Sequence, residues 1–152
     1  MQARGKGRVQ AGFTLIEVMV VVAILAILAA VIVPRVMDQP GKARIAKAKQ
    51  DIRAIQSALD LYKLDNYRYP TTDQGLQALV SKPGSGPDAK NYKDGGYLRD
   101  LPVDPWGNPY QYLNPGQHRD VDIYSLGADG VPGGSGENAD IGNWTLQQGK
   151  GN

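Results

Sequence analysis

A long apolar segment near the amino terminus constrains this chain more than any other feature. Residues 13–33 read FTLIEVMVVVAILAILAAVIV, with Glu17 as the single charged side chain. As a helix, this segment would rise about 30 Å, which is the thickness of the hydrocarbon core of a bilayer. No soluble domain of this size requires so long an apolar helix. The sequence therefore predicts a transmembrane helix over residues 13–34.

The residues before this helix distinguish a retained anchor from a signal peptide that is removed. Residues 1–12 (MQARGKGRVQAG) carry three basic side chains and no acidic one. A secretory signal has a shorter apolar run with small residues after it, whereas here the small pair Ala11–Gly12 comes before it. We therefore predict that residues 1–12 are a leader, cleaved on the cytoplasmic side. Residues 35–53 are also basic, so the positive-inside rule alone leaves the orientation open.

Glu17 is a carboxylate within the apolar segment and requires an explanation. A charged group there costs about 2–4 kcal/mol. One interpretation places its side chain near the interface, reaching toward the headgroups. The other pairs it with a cation, because cleavage after Gly12 creates an α-amine on Phe13. That amine can pair with Glu17 within one helix or between staggered helices of a polymer.

The motif GFTLIE at residues 12–17 resembles the processing signal of type IV pilins and pseudopilins. The resemblance implies that a membrane prepilin peptidase cleaves after Gly12 and N-methylates Phe13. It also implies that Glu17 contacts the amino terminus of a neighbouring subunit during assembly of a helical homopolymer. The motif does not choose between a pilus and a pseudopilus. A signal-anchored binding module that never polymerises is a further alternative, and it would not depend on Glu17.

An amphipathic helix is predicted over residues 35–66. Pro34 disfavours helix at the residue before it, so a kink or local melting is expected there, and Pro40–Gly41 is a second weak point. Farther along, spacings of three and four predict one apolar stripe that packs against a sheet, formed by Ile45, Ala48, Ile52, Ile55, Leu59 and Tyr62. A coiled coil is the alternative, although fewer than three heptads are present.

The pattern of residues 67–152 predicts a globular α+β domain. Residues 71–80 are typical of a short helix, capped by Thr72 or Asp73. Three short segments have the composition of β-strands, namely residues 97–98, 110–113 and 121–126. We expect two or three antiparallel strands to pack against the apolar stripe.

Candidate catalytic groups are sparse. The chain has no cysteine, and its single histidine, His118, lies in a predicted surface turn. Asp120 and Asp122 alternate with apolar residues, which predicts that both face solvent. The glycines of residues 127–136 lack the strand, helix and lysine of a phosphate loop. We expect no enzymatic activity, and the net charge of +2 is too balanced to suggest nucleic-acid binding.

Two internal blocks narrow the resemblance. YPTTDQGLQAL at residues 69–79 and LPVDPWGNPYQY at 101–112 closely resemble stretches of the major pseudopilin of type II secretion systems. Taken alone, the DPWGNP block predicts only a turn with one buried aromatic side chain. The resemblance implies a type IV pilin-like fold, in which a long amino-terminal helix packs on a small antiparallel sheet. It implies a subunit of the periplasmic pseudopilus; the alternative is a type IV pilus or competence pilin.

The same resemblance implies the partners and the compartment. The subunit would pass once through the inner membrane, with its amino terminus cytoplasmic and its globular domain periplasmic. Its partners would be inner-membrane lipid, other copies, minor pseudopilins, the prepilin peptidase, and the inner-membrane assembly platform with its ATPase. Growth of the pseudopilus would help drive folded exoproteins through the outer-membrane secretin, with which contact is indirect.

The stretch LGADGVPGGSGENADIGNW at residues 126–144 is rich in glycine and acidic side chains. It buries little and would be disordered without a further constraint. Oxygen ligands without histidine or cysteine suit Ca²⁺ better than zinc or copper. The spacing is not that of an EF-hand, so the pattern alone leaves a solvated loop as the alternative.

The resemblance implies a structural Ca²⁺ ion in this loop. Its carboxylate ligands would be Asp129 and Asp140, and its carbonyl ligands those of Leu126 and Val131. Asn138 is a further candidate. Such an ion would connect the two ends of the loop, pin it to the sheet and stabilise the folded state.

Overall fold

The computed structural model describes residues 12–37 and 39–146. The chain divides into two units, and the boundary between them lies between Gln39 and Pro40. The first contains helix α1, Leu15–Met37, and the second contains nearly all of helix α2, Gln39–Asn66, together with the sheet. Asp38 and most of the predicted leader lie outside the described residues.

Helix α1 begins directly after Thr14, whose Oγ1 accepts a hydrogen bond from the backbone N–H of Glu17 at 3.3 Å. Thr14 therefore caps the helix at its amino terminus. The helix continues past Pro34 to Met37, so the local melting expected at this proline is not seen. Among the described residues, no helix combines the length and apolarity needed to cross a membrane.

Helix α2 confirms the predicted amphipathic pattern. It begins at Gln39, so Pro40 lies in the first turn, where its missing N–H leaves no intrahelical bond unmade. The predicted weak point at Pro40–Gly41 is thus the start of a helix. All but the first residue of the predicted stripe are fully buried, as Ala48, Ile52, Ile55, Leu59 and Tyr62. The helix ends at Asn66, which is the predicted end.

The sheet has three antiparallel strands in the order β1-β2-β3. Strands β1, Gln111–Leu113, and β2, Asp122–Ser125, fall within two of the predicted segments. Strand β3, Ile141–Gly142, was missed, because two residues in a glycine-rich stretch carry no strand pattern. The strand predicted at residues 97–98 is wrong, since both of its N–H groups donate to the carbonyl of Leu79, at 2.7 and 2.9 Å.

One hydrophobic core joins the stripe of α2 to the sheet, as predicted. Ile52 and Leu59 of α2 belong to the same buried cluster as Tyr112 of β1, Ile123 of β2 and Ile141 of β3. The core also fixes the connecting segments, because the Tyr112 hydroxyl donates to the carbonyl of Pro70 at 2.8 Å.

The helix predicted over residues 71–80 is shorter than expected and lacks the predicted side-chain cap. Only Leu76–Leu79 is helical, as one turn of 3₁₀ helix. Thr71 and Gln74 exchange hydrogen bonds between side chain and backbone, at 3.0 and 3.2 Å, in the turn before this helix. The N-cap residue of the helix is Gly75, and no side chain caps it. The Thr72 hydroxyl instead donates to the carbonyl of Asn114 at 3.0 Å and accepts its N–H at 2.9 Å. Thr72 therefore holds the loop after β1.

Candidate functional site

The glycine-rich loop between β2 and β3 is closed by hydrogen bonds across it. The N–H of Ala128 donates to the carbonyl of Glu137 at 2.9 Å. Nearer the tip, the N–H of Asp140 donates to the carbonyl of Gly133 at 3.2 Å, and the N–H of Gly133 donates to Oδ2 of Asp140 at 3.0 Å. The stretch expected to be disordered by itself thus has a defined path in the folded chain.

This path depends on glycine at position 127. Gly127 has a φ of +72°, and a Cβ there would lie 2.7 Å from the carbonyl oxygen of Glu137. A side chain would meet backbone and not a flexible group, so the two sides of the loop approach closely only because this residue has no Cβ.

Two of the residues predicted to bind calcium line the same cavity. Leu126 and Asp140 line a single cavity of about 230 Å³, bounded also by Asp122 and Trp144. Oδ1 of Asp140 is buried and has no hydrogen-bond partner. An unpaired carboxylate oxygen without solvent requires a partner, and a hard cation is one that fits it.

The other predicted ligands lie on the exposed side of the loop. Val131 is 55% exposed, and its N–H donates to Oδ1 of the exposed Asp129 at 3.2 Å. Asn138 is also exposed. In the described part of the chain, no group of three or more His, Cys, Asp or Glu side chains could hold a metal. A cation here would therefore need backbone carbonyls besides the carboxylates, which is a donor set that Ca²⁺ accepts.

Glu137, an acidic residue of the loop that was not among the predicted calcium ligands, connects this loop to the rest of the domain. Oε2 of Glu137 accepts hydrogen bonds from Nη1 of Arg44 at 3.2 Å and from Nε1 of Trp106 at 3.1 Å. The hydrogen bond from Trp106, and then that from Arg44, lowers the pKa of the Glu137 carboxyl below its usual value. Nothing in the sequence signals this contact, because Arg44 is 93 residues away.

The DPWGNP block forms the predicted turn and supports the start of the loop. Asp104 is buried, and its Oδ1 accepts the N–H groups of Trp106 and Asn108 at 3.1 and 2.7 Å. Its Oδ2 accepts the hydroxyl of Ser125 at 2.6 Å, and that hydroxyl oxygen in turn accepts the N–H of Gly127 at 3.1 Å. The turn and the loop therefore share one hydrogen-bonded network.

The prediction that Asp122 faces solvent is wrong. Its residue is only 1% exposed, and its carboxylate accepts backbone N–H groups from three consecutive residues, Gln117, His118 and Arg119. Burial opposes ionisation, but the bonds from the His118 side chain and these N–H groups outweigh it, so the pKa of Asp122 is lowered. The carboxylate thus binds the backbone of the turn before β2, and the alternation of residues in a strand cannot predict such a contact. Asp120 is exposed, as predicted.

His118 lies in the predicted turn, but its ring has defined partners. Nδ1 lies 3.0 Å from Oδ2 of Asp122, and the ring stacks on Trp144 with centroids 4.0 Å apart and planes inclined by 10°. The turn thereby contacts the residues that follow β3.

The processing and assembly residues lie at the start of the described chain. Phe13 is 84% exposed, and Gly12 and Glu17 are exposed as well. The residues before Gly12 lie outside the described part. Cleavage after Gly12, methylation of Phe13 and the contact of Glu17 with another subunit remain predictions.

Comparisons with known proteins agree with the sequence motifs. The family model for type II secretion system protein G matches residues 35–144, and the model for the prokaryotic N-terminal methylation motif matches residues 7–33. The chain is 64% identical to the type II secretion system core protein G of Pseudomonas aeruginosa, over 90% of this chain and 96% of that protein. The core protein G of Vibrio cholerae is 58% identical, over 93% of this chain and 97% of that protein.

A solved structure gives the same result for the fold. The crystal structure of the major pseudopilin from the type 2 secretion system of enterohaemorrhagic Escherichia coli matches with a TM-score of 0.65 at 56% identity. The match covers 72% of this chain and 93% of that one. The fold is therefore the pilin-like arrangement that the sequence predicted. Together, the matches over nearly the whole chain show that this protein belongs to the type II secretion system protein G family.

Proposed function

We propose that this chain is the structural subunit that polymerises into the periplasmic pseudopilus of a type II secretion system. The observation that carries the proposal is the protein G match over residues 35–144, directly after a methylation motif at 7–33. The growing polymer would help drive folded exoproteins through the outer-membrane secretin. The role is structural, and ATP hydrolysis would be supplied by the assembly ATPase. The family match favours this function over that of a type IV pilus or competence pilin.

The amino-terminal segment carries processing and polymerisation in this proposal. The prepilin peptidase cleaves after Gly12 and methylates Phe13, and residues 13–34 anchor the subunit in the inner membrane before assembly. The apolar side chains of α1 support a packing role, because Phe13, Leu15 and Ile16 are at least 70% exposed in a single copy. Packing between copies would bury this surface.

Glu17 sets the register between subunits by pairing with the amine of Phe13 on a neighbour. An ion pair removed from water requires both partners, and an uncompensated carboxylate there is costly. Minor pseudopilins and the inner-membrane assembly platform complete the set of partners. The proposed domain boundaries are those predicted from the sequence. They are a leader at residues 1–12, a membrane helix at 13–34, an amphipathic helix at 35–66 and a globular domain at 67–152.

A structural Ca²⁺ ion in the loop of residues 126–144 is part of the proposal. Asp129 and Asp140 would hold it with the carbonyls of Leu126 and Val131, and Asn138 would complete the set. The buried, unpaired Oδ1 of Asp140 is the observation that supports an ion here. When bound, the ion supplies a positive charge that neutralises the acidic loop and joins its two sides. The chain itself contributes the closure of the loop through Gly133 and Asp140.

Replacement of Glu17 by valine tests the assembly role. In a reconstituted secretion system, we expect Glu17→Val to abolish pseudopilus fibres and secretion, because the cross-subunit ion pair is lost, while membrane insertion and processing continue. Ile16→Val is the matched control, since it changes a neighbouring apolar side chain without removing a charge. Mass analysis of the mature amino terminus verifies cleavage and methylation in each variant. Normal fibres of Glu17→Val would refute the assembly role.

A further inference from the structure

Glu137 joins three separate parts of the globular unit. Its side chain lies against the beginning of α2 and against the DPWGNP turn, through hydrogen bonds from Arg44 and Trp106 at 3.2 and 3.1 Å. Its backbone carbonyl accepts the N–H of Ala128 at 2.9 Å, which closes the glycine-rich loop. One residue therefore contributes both a hydrogen bond across the loop and the contact between the loop and the helix.

The contact with α2 is close because position 41 is glycine. A Cβ on Gly41 would lie 2.9 Å from Cδ and 3.1 Å from Cγ of Glu137, and it would approach Oε1 more closely still. Glycine stabilises a helix less than alanine does, because its backbone loses more conformational freedom on folding. The start of α2 thus has a residue that weakens the helix locally and admits the Glu137 side chain.

The first turns of α2 depend on such an external contact. The first backbone N–H groups of a helix have no intrahelical partner, and helix ends fray unless tertiary contacts hold them. Arg44 is half-exposed, with a side-chain exposure of 50%, and Glu137 is its described ion-pair partner. Removing Glu137 would leave this turn with fewer contacts, whereas residues from Ala48 onward are held by the core.

Glu137 is also adjacent in sequence to proposed calcium ligands. Asn138 follows it directly, and Asp140 lies three residues on. An ion that orders these residues would reduce the freedom of Glu137 and so hold its side chain toward α2. A Glu137 side chain held toward α2 would in turn favour calcium binding by the loop, because coupling between two equilibria is reciprocal.

We propose that Glu137 is a positioning residue that couples Ca²⁺ in the glycine-rich loop to the order of the first turns of α2. The inference rests on the calcium site proposed above. In sequence, these turns follow helix α1, which carries the apolar segment proposed to pack between copies in the polymer. Calcium in the periplasm would then act on the helix as well as on the loop.

Amide hydrogen exchange on the full-length protein in detergent micelles tests the coupling. In the wild type, calcium relative to a chelator is expected to slow exchange at residues 43–48 at least fivefold. Glu137→Ala is expected to abolish this slowing. Glu137→Gln keeps an acceptor for Trp106 and should restore part of it, which loss of folding would not do. Asp100→Asn, at an exposed acid of another loop, is the control that should behave as the wild type.

Calcium affinity provides the reciprocal measurement. Gly41→Ala displaces the Glu137 side chain without changing the sequence of the loop, and we expect it to weaken calcium binding about fivefold by titration calorimetry, at the lower end of usual coupling. Unchanged affinity in this variant would overturn the inference. If calcium binds and slows amide exchange at residues 43–48 equally in the wild type and in Glu137→Ala, the coupling would be overturned and the calcium site would stand. Absence of calcium binding to the wild type would overturn the calcium site and the coupling together.

Discussion

Replacing Asp122 by asparagine tests whether a buried carboxylate organises the turn before β2. The carboxylate accepts the N–H groups of Gln117 at 2.7 Å, His118 at 3.0 Å and Arg119 at 3.0 Å, with donors on both of its oxygens. Asparagine has the same shape but one acceptor oxygen, so its NH₂ group would face an N–H donor. At least one charge-assisted bond to the buried carboxylate is lost, and a partly buried N–H loses its acceptor.

The magnitude follows from these contacts. A hydrogen bond to a charged group contributes about 1.5–3 kcal/mol, and a fully buried unpaired donor costs about 1–3 kcal/mol, of which a partly buried N–H bears the lower part, with overlap between the two terms. We expect Asp122→Asn to lower the free energy of unfolding by about 2–4 kcal/mol. Asp120→Asn is the matched control. Its side chain is 85% exposed and lies 4.0 Å from Lys63, so its effect should stay below about 0.5 kcal/mol.

Urea denaturation followed by tryptophan fluorescence measures both variants, and the pH dependence adds an independent check. The folded-state pKa of Asp122 lies below its ordinary value of 3.8. Its ionised form therefore stabilises the fold fully above pH 3.8, and this contribution is lost as pH falls through the lowered pKa. The difference in the free energy of unfolding between the wild type and Asp122→Asn should therefore shrink as the pH falls through the lowered pKa. Equal stability of the Asp122 and Asp120 variants at pH 7 would refute the reasoning.

Two further predictions concern buried oxygen atoms. Tyr112→Phe removes the hydroxyl that donates to Pro70, so it should destabilise the fold by about 1 kcal/mol, whereas Tyr62→Phe removes a buried hydroxyl without a partner and should be neutral or slightly stabilising. Urea denaturation of both variants measures the change in the free energy of unfolding, and a larger loss of stability for Tyr62→Phe than for Tyr112→Phe would contradict the prediction. If Ca²⁺ binds as proposed, removing it with a chelator should lower the melting temperature of the wild type but not of Asp140→Ala, because that variant lacks the proposed buried ligand. Identical wild-type melts with and without calcium would exclude a structural ion.

Local patterns in the sequence predicted much of the architecture. The spacing of apolar residues from Ile45 to Tyr62 predicted both the helix and its buried face, because a helix brings every third or fourth residue to one side. The turn at DPWGNP and two of the three strands were predicted for the same reason, since short segments specify them. The motif GFTLIE identified the superfamily, and the two internal blocks identified the family.

Other features depend on residues far apart in the chain, and the sequence does not reveal them. The alternation around Asp122 predicts a solvent-facing side chain, yet a preceding turn folds over it and supplies its donors. Thr72 was expected to cap the helix after it, but its side chain is bound to the backbone of the distant Asn114. Strand β3 exists only because β2 offers it an edge to pair with.

The apolar segment with its glutamate, the amphipathic stripe and the family blocks were determined by the sequence alone, because each is written in neighbouring residues. The tertiary structure decided how the glycine-rich loop is held. Only the folded chain brings Glu137 to Arg44 and Gly41, and only there does Oδ1 of Asp140 become buried without a partner. The physical reason is that burial and long-range hydrogen bonds depend on which distant segments meet, and local periodicity does not specify those encounters.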